Sequence, residues 1–372
     1  MALFFIAGMA YASWGVHVPT VRDKFQLSPA ALSVALFVLT GGSIAATVTN
    51  AKWIARVGTR RACLVGGLVM SASMPLILMA PSYSMLLPVL AAFGAGMATM
   101  DVAMNAEASA VEEALGRPIM SSLHGMFSVG GMIGAGAGGM ALAHGMASAV
   151  HLLLAALACV LVLLLACPAV LPHVPHADGH HESGRSSRWR SSVLWALGAV
   201  ALIALIAEGA MYDWAAVYMR DVVRSTPAFA SAGYAAFTGA MAVGRFAGDA
   251  VRARFGAVQL VFASAALACA GMIGALVLPF SVTALLGFAM MGIGLANMMP
   301  VLFAAAMRVK GIHAAEGLAH VASIAYVGLL FGPVLIGGVA QATNLSLGLS
   351  VVALCAALVA VVGPQVLRRL GV

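Results

Sequence analysis

Two stretches put reactive side chains where the chain is otherwise apolar. Gly94–Glu107, GAGMATMDVAMNAE, carries Asp101, Asn105 and Glu107 inside a segment running from Tyr83 to about Val111. Glu208-Gly-Ala-Met-Tyr-Asp-Trp214 places two carboxylates and a tyrosine, Tyr212, in a second such segment. At about 100° per residue Asp101 and Asn105 share a helix face, and Glu107 lies about 120° round from Asp101. If the first segment is centred near Met97, Asp101 lies ~6 Å and Glu107 ~15 Å from its middle, at a rise of ~1.5 Å per residue. In the second, Glu208 is close to the centre and Asp213 is ~10 Å nearer one end. Carboxylates held in low dielectric exchange protons readily when their surroundings change, which is the chemistry of proton coupling. The competing reading is that they bond to backbone or side chains and lock helices together.

The elements that hold these residues are membrane helices. The 372 residues are 63% hydrophobic and only 8% charged, whereas a soluble domain carries roughly 25% charged residues. An ionisable group inside a span costs several kcal/mol and usually faces a cavity or a partner. Asp101 is then the intramembrane charge of its segment and Glu107 is interfacial. The expected fold is all-α and polytopic, with twelve spans at about 1–21, 30–54, 61–80, 83–111, 119–143, 147–170, 193–219, 228–252, 257–279, 281–307, 314–341 and 344–367. The tract 171–192, LPHVPHADGHHESGRSSRWRSS, divides them into halves 1–170 and 193–372. Five scattered cysteines with no CxxC read as free thiols.

Charge placement orients the bundle. With the N-terminus inside, every basic residue falls on the inner side except Arg22, Lys24, Arg220 and Arg224. The positive-inside rule therefore puts both termini and the 171–192 linker in the cytoplasm, with the chain in a bacterial inner membrane. Topology explains the basic excess, and no nucleic-acid partner is needed. The halves also repeat at an offset of 198. Arg22-Asp23 maps onto Arg220-Asp221, Pro29 onto Pro227, Gly58 onto Gly256, Gly94 and Gly96 onto Gly292 and Gly294, and Gly139 onto Gly337. Two six-helix halves of the same orientation form the parallel-repeat plan of alternating-access carriers.

The loop Ala51-Lys-Trp-Ile-Ala-Arg-Val-Gly-Thr-Arg-Arg61 resembles the major facilitator superfamily signature GxxxDRxGxRR, with Ala51 and Ala55 replacing its Gly and Asp. Its second copy keeps Arg254-Phe-Gly256, preceded by Arg245 and Asp249. Four motifs narrow the resemblance to the MosC-like and YbjJ-like, rhizopine-transporter-like branch: DVAMN at 101–105, Arg117–Gly125, Glu208–Trp214 and Gly244–Asp249. The resemblance implies that spans one, four, seven and ten line a central cavity. It then offers Trp14, His17, Asn105, Tyr212, Trp214 and Asn297 for substrate, and Asp101, Glu208 and Asp213 for coupling. It implies a gating role for Arg56, Gly58, Arg60, Arg61, Arg245, Asp249 and Arg254.

Three histidines, His17, His124 and His320, have the pKa range for proton relay but also suit packed hydrogen bonding. We include His124 and Glu107 with the coupling candidates. Trp14 and Trp214 could stack a sugar or a cation, or pack at an interface. The glycines of spans five and eleven are small-residue faces, expected to pack span five on eight and two on eleven. His173, His176, Asp178, His180, His181 and Glu182 are irregularly spaced and read as solvated linker rather than a metal site. No cofactor is called for, and no Walker sequence marks an ATPase. No Lys or Arg lies deep in the expected cavity-lining spans, though Arg245 could reach inward from span eight. The expectation is a monomeric, proton-coupled secondary transporter in the lipid bilayer. Its cargo would be a polyol, sugar or amino-polyol, neutral or cationic, moved inward by symport or outward by antiport. Rival readings are a proton-driven exporter of drugs or metabolites, a substrate-sensing receptor, and an intramembrane enzyme, for which no diagnostic constellation exists.

Overall fold

The computed structural model describes residues 1–116, 119–171 and 191–370, and the side chains of these except Ala51, Lys52, Asp249 and Ala315. Arg117, the side chain of Asp249 and the His-rich part of the linker therefore lie outside the described residues. The long elements are all helices: α1 (Ala2–Phe25), α2 (Pro29–Val57), α3 (Thr59–Met79), α4 (Tyr83–Leu115), α5 (Met120–Ala143), α6 (Ser148–Ala166) and α7 (Ser192–Asp221). Pro227–Val277 runs as one hydrogen-bonded helix with a kink at Gly256, giving α8 (227–255) and α9 (257–277). The rest are α10 (Ser281–Leu295), α11 (Met298–Ala306), α12 (Ala314–Ala342) and α13 (Leu345–Arg369).

Eleven stretches among the described residues are long and apolar enough to cross a membrane. Helix α8, with its Ser, Thr, Tyr and glycines, is less apolar and is not among them. The expected tenth span is broken: α10 and α11 are separate helices with Ala296 and Asn297 between them. Large apolar side chains such as Leu161 and Leu165 of α6, Phe262 and Val277 of α9, and Leu354 and Val361 of α13 point outward. That is the pattern of a protein whose solvent on its flanks is lipid.

The repeat is written into the backbone. Gly58 and Gly256 both take left-handed φ, 87° and 76°, at the sharp bends after α2 and α8. The non-glycine pair Gln26 and Arg224, also 198 apart, share it at 51° and 61°. Ser28 caps α2 through Ala31 N at 3.2 Å, and Thr226 caps α8 through Phe229 N at 3.3 Å. Gly94 lies against the Leu39 carbonyl and Gly292 against that of Phe237, residues again 198 apart. Gly96 meets Gly66 and Met70, as Gly294 meets Ser264 and Ala268. Only a residue without Cβ permits backbones this close, so these glycines fix helix spacing where lipid gives no hydrophobic drive to pack.

Helices α5 on α8 and α2 on α12 join the halves, as the small-residue faces predict. Gly139 receives Ser231 of α8, and its repeat mate Gly337 receives Ser33 of α2. Gly125 and Gly131 also meet α8, at Phe246 and Thr238, whereas Gly130 and Gly134 turn inward within their own half against Phe5 and Met9 of α1. At the face away from the chain ends, Arg22 pairs with Asp221 and Arg220 with Asp23. Each bond is the other's image under the repeat. The first residues of α1 lie at the opposite, terminal face.

Candidate transport site

The polar residues inside the bundle ignore the repeat that governs its skeleton. At the offset of 198, Asp101 corresponds to Met299, Asn105 to Phe303, Glu208 to Ala10, Asp213 to Gly15 and Arg245 to Thr47. Architecture does not require them, so each must be explained by its own contacts.

Asp101 and Asn105 sit one turn apart on α4, as the helical spacing predicts. Asn105 Nδ2 donates to Asp101 Oδ1 at 3.1 Å and to its carbonyl at 2.9 Å. Both are half-buried, and Asp101 has Tyr326 of α12, in the other half, as an electrostatic neighbour. Glu107 has other contacts. Its carboxylate accepts from Leu171 N at 2.9 Å and from the Thr59 hydroxyl at 3.4 Å, while Arg60 Nε donates to the Val170 carbonyl at 2.7 Å. Glu107 and Arg60 thus tie the chain leaving α6 to the start of α3.

The centre of the site is Arg245. The superfamily resemblance grouped it with the gating loop; instead it lies inside the bundle, with its side chain only 14% exposed. Its Nη2 pairs with Glu208 Oε1 of α7 at 3.1 Å. Its Nη1 donates to Ser128 Oγ at 2.8 Å and to the His124 carbonyl at 3.3 Å, both on α5. One guanidinium therefore binds both halves, with its charge neutralised by a carboxylate that is 11% exposed. Arg245 thus reaches inward from span eight, the exception that the sequence left open to an interior without cations. Tyr212 completes the group, its hydroxyl 3.5 Å from Glu208 Oε1 and 3.4 Å from Met241 Sδ. The His124 ring packs edge-on against Phe4 at 5.3 Å, so its backbone carbonyl, not its imidazole, enters the network.

Beyond this group, toward the face with the doubled ion pairs, an aromatic layer joins the halves. Tyr212 contacts Tyr11 at 5.6 Å, Tyr234 at 5.8 Å and Phe237 at 5.2 Å between ring centroids, and Tyr11 stacks on Phe93 at 6.5 Å. Asp213 is buried, with Tyr11 and Tyr234 among its electrostatic neighbours. Trp14 and Trp214 are each 1% exposed, and neither indole N–H has a partner, so neither offers an open platform in this conformation. His17 is fully buried, with Nε2 at 2.9 Å from His151 Nδ1 between α1 and α6. His320 is buried and meets Trp195 edge-on at 4.9 Å.

Asn297 stands at the α10–α11 break and donates to the Gly244 carbonyl at 2.8 Å. Its side chain fills the space beside Gly248, so it serves to dock α8. Arg56, Arg61 and Arg254 are exposed on the terminal face, with Arg254 over the Phe255 ring at 5.4 Å. Sequence reasoning missed Tyr11, Phe93, Ser128, His151, Tyr234 and Phe237. Ser128 and His151 gave no signal, whereas the tyrosines are polar-tipped rings deep in apolar spans.

The fold and this polar interior define a multi-pass membrane transporter. Residues 1–333 match the Major Facilitator Superfamily. The chain is 33% identical over 351 residues to an uncharacterized MFS-type transporter of Yersinia pestis, covering 94% of this chain and 90% of that protein. It is 32% identical over 353 residues to the membrane protein MosC of Rhizobium meliloti, covering 92% and 83%. In fold it is similar to a bacterial homologue of the human lysosomal transporter Spinster, in an inward-facing, unoccupied conformation (TM-score 0.76, 15% identity, covering 98% of this chain and 95% of that one). It also resembles the nucleoside transporter NupG (TM-score 0.68, 11% identity, covering 100% and 98%). The chain belongs to the Major Facilitator Superfamily.

Proposed function

We propose that this transporter is a proton-coupled secondary carrier of a small polar solute, working by rocking of two six-helix halves divided at the 171–192 tract. The observation that carries the reading is Arg245, which links Glu208 on α7 to Ser128 and His124 on α5. Any change in charge or occupancy at Glu208 acts on the guanidinium that bonds to α5 of the other half, and coupling requires such a link. Asp101, half-buried on the other half beside Asn105, is the group that takes and releases the proton. Tyr212 and Asn105 offer hydroxyl and amide groups suited to a polyol, sugar or amino-polyol.

Exposed Arg56, Arg61, Arg254, Arg308, Lys310, Arg368 and Arg369 on the terminal face support cytoplasmic termini in an inner membrane. The test is uptake into proteoliposomes under an imposed pH gradient, screening inositols, hexoses, amino-sugars and cationic dyes. Accumulation of a polar solute that collapses with a protonophore supports the reading. Gradient-independent equilibration alone would remove proton coupling, and movement of dyes alone would make this an exporter of apolar cations.

A further inference from the structure

Helices α8 and α9 diverge from the bend at Gly256 and both pack on α10, Gly244 against Ile293 and Ser264 against Gly294. Between them runs a groove of about 430 Å³, with Val243 and Val251 of α8 on one wall, Gln259 and Leu267 of α9 on the other, Ile293 as floor and Phe255 at the bend. Val243, Ile293 and Phe255 remain exposed there, so the groove opens on the flank whose solvent is lipid. Its end at the bend is not apolar. The Arg254 guanidinium stands over the Phe255 ring at 5.4 Å, and Arg252 is half-buried two residues earlier. Among the described residues neither arginine has an acidic partner. The N-terminus of α9, the positive end of its dipole, lies at the same rim. Gln259, in that first turn, is exposed.

Two guanidinium groups, a helix N-terminus and an amide at one end of a lipid-facing groove match a phosphate joined to an acyl chain. We propose that this groove binds an anionic phospholipid. The phosphate sits against Arg252, Arg254 and Gln259, and one acyl chain runs from Phe255 between α8 and α9 toward Leu267. A zwitterionic lipid fills the same groove, but its ammonium group offsets the phosphate charge, so the arginines favour the anionic headgroup. The repeat supports a ligand role for the rim. The bend recurs at Gly58, where Ile54 and Val57 stand in place of Arg252 and Phe255, so the skeleton needs neither. Gly244, in the groove wall, accepts from Asn297 and is next in sequence to Arg245. The lipid therefore rests against the helix that links the halves, whatever the solute is.

The purified full chain is titrated in detergent at constant ionic strength with phosphatidylglycerol or with phosphatidylcholine of the same acyl chains, and the melting temperature is read. Phosphatidylglycerol is expected to reach half of its stabilisation at a lower mole fraction, by about 5-fold for each arginine. Arg252→Gln with Arg254→Gln is expected to abolish that preference. Ala263 is exposed and lines the groove, so Ala263→Phe obstructs the acyl chain with both arginines in place and should abolish it too. Arg368→Gln with Arg369→Gln, on α13, should keep it. Equal response of the parent to the two lipids overturns the site, as does a preference that survives either groove variant. An equal loss in the Arg368 and Arg369 variant would overturn it in favour of general attraction to basic residues. An equal shift produced by glycerol 3-phosphate would overturn it in favour of a site for free phosphate.

Discussion

The reciprocal ion pairs Arg22–Asp221 and Arg220–Asp23 span the halves at the face away from the termini, and they set a measurable bias on conformation. Side-chain exposures of 29% and 33% in one pair and 29% and 53% in the other place them in the partly solvated class. Such pairs contribute about 0.2–1 kcal/mol each. Two acting together hold this face closed by about 0.4–2 kcal/mol, or about 2- to 30-fold in the closed-to-open ratio at 1.4 kcal/mol per tenfold. The perturbation is Arg22→Gln with Arg220→Gln, which removes both bonds without adding charge. Spin labels replacing Gln26 and Arg224, the repeat-related residues just beyond the two helices, report the separation by pulsed electron resonance. The longer-distance population should grow by that factor, and raised salt should shift the parent the same way. The exchange Arg22→Asp with Asp221→Arg should restore the parent distribution. An unchanged distribution in the double glutamine variant would refute the reasoning.

Two further outcomes follow from buried contacts. Glu208→Gln or Arg245→Met alone leaves one buried charge unpaired and should cost about 3–5 kcal/mol, read as a fall in melting temperature. The combined variant should recover much of that loss, and non-additivity in the double-mutant cycle is the check. Gly94→Ala and Gly292→Ala each drive a methyl group into the backbone carbonyl of Leu39 or Phe237. They should destabilise by similar amounts, about 1–3 kcal/mol each. A large effect at one position and none at its mate would contradict the structural repeat.

The fold was legible because its determinants are local and duplicated. Span length follows from hydropathy, and the glycines at 58 and 256 or 94 and 292 do the same geometric work twice, so composition noise could not hide the offset. The site was legible only in part. Depth along a helix can be counted from sequence, which located Asp101 and Glu208, but side-chain reach and helix rotation cannot. Arg245 shows the gap: a long side chain on a span outside the expected lining crosses to α7 and α5. Its replacement of a repeat position occupied by Thr47 was the available signal. Glu107 is a second case: its interfacial depth was readable from sequence, but its hydrogen bonds to Thr59 and Leu171 N, which depend on how the loop after α6 returns, were not. Asn297 likewise lies in a cavity-lining span by family resemblance, and it stands at the break in that span and donates to the Gly244 carbonyl.

The central claim is that Asp101 couples solute movement to a proton, and one comparison addresses it directly. Parent and Asp101→Asn proteins are reconstituted in parallel and assayed for gradient-driven accumulation and for solute exchange at equal pH. The account predicts that Asp101→Asn retains exchange and loses accumulation, because the amide preserves the contact with Asn105 but cannot carry the proton. Accumulation equal to the parent would contradict it, making Asp101 a structural residue and moving the coupling role to Glu208 and Asp213.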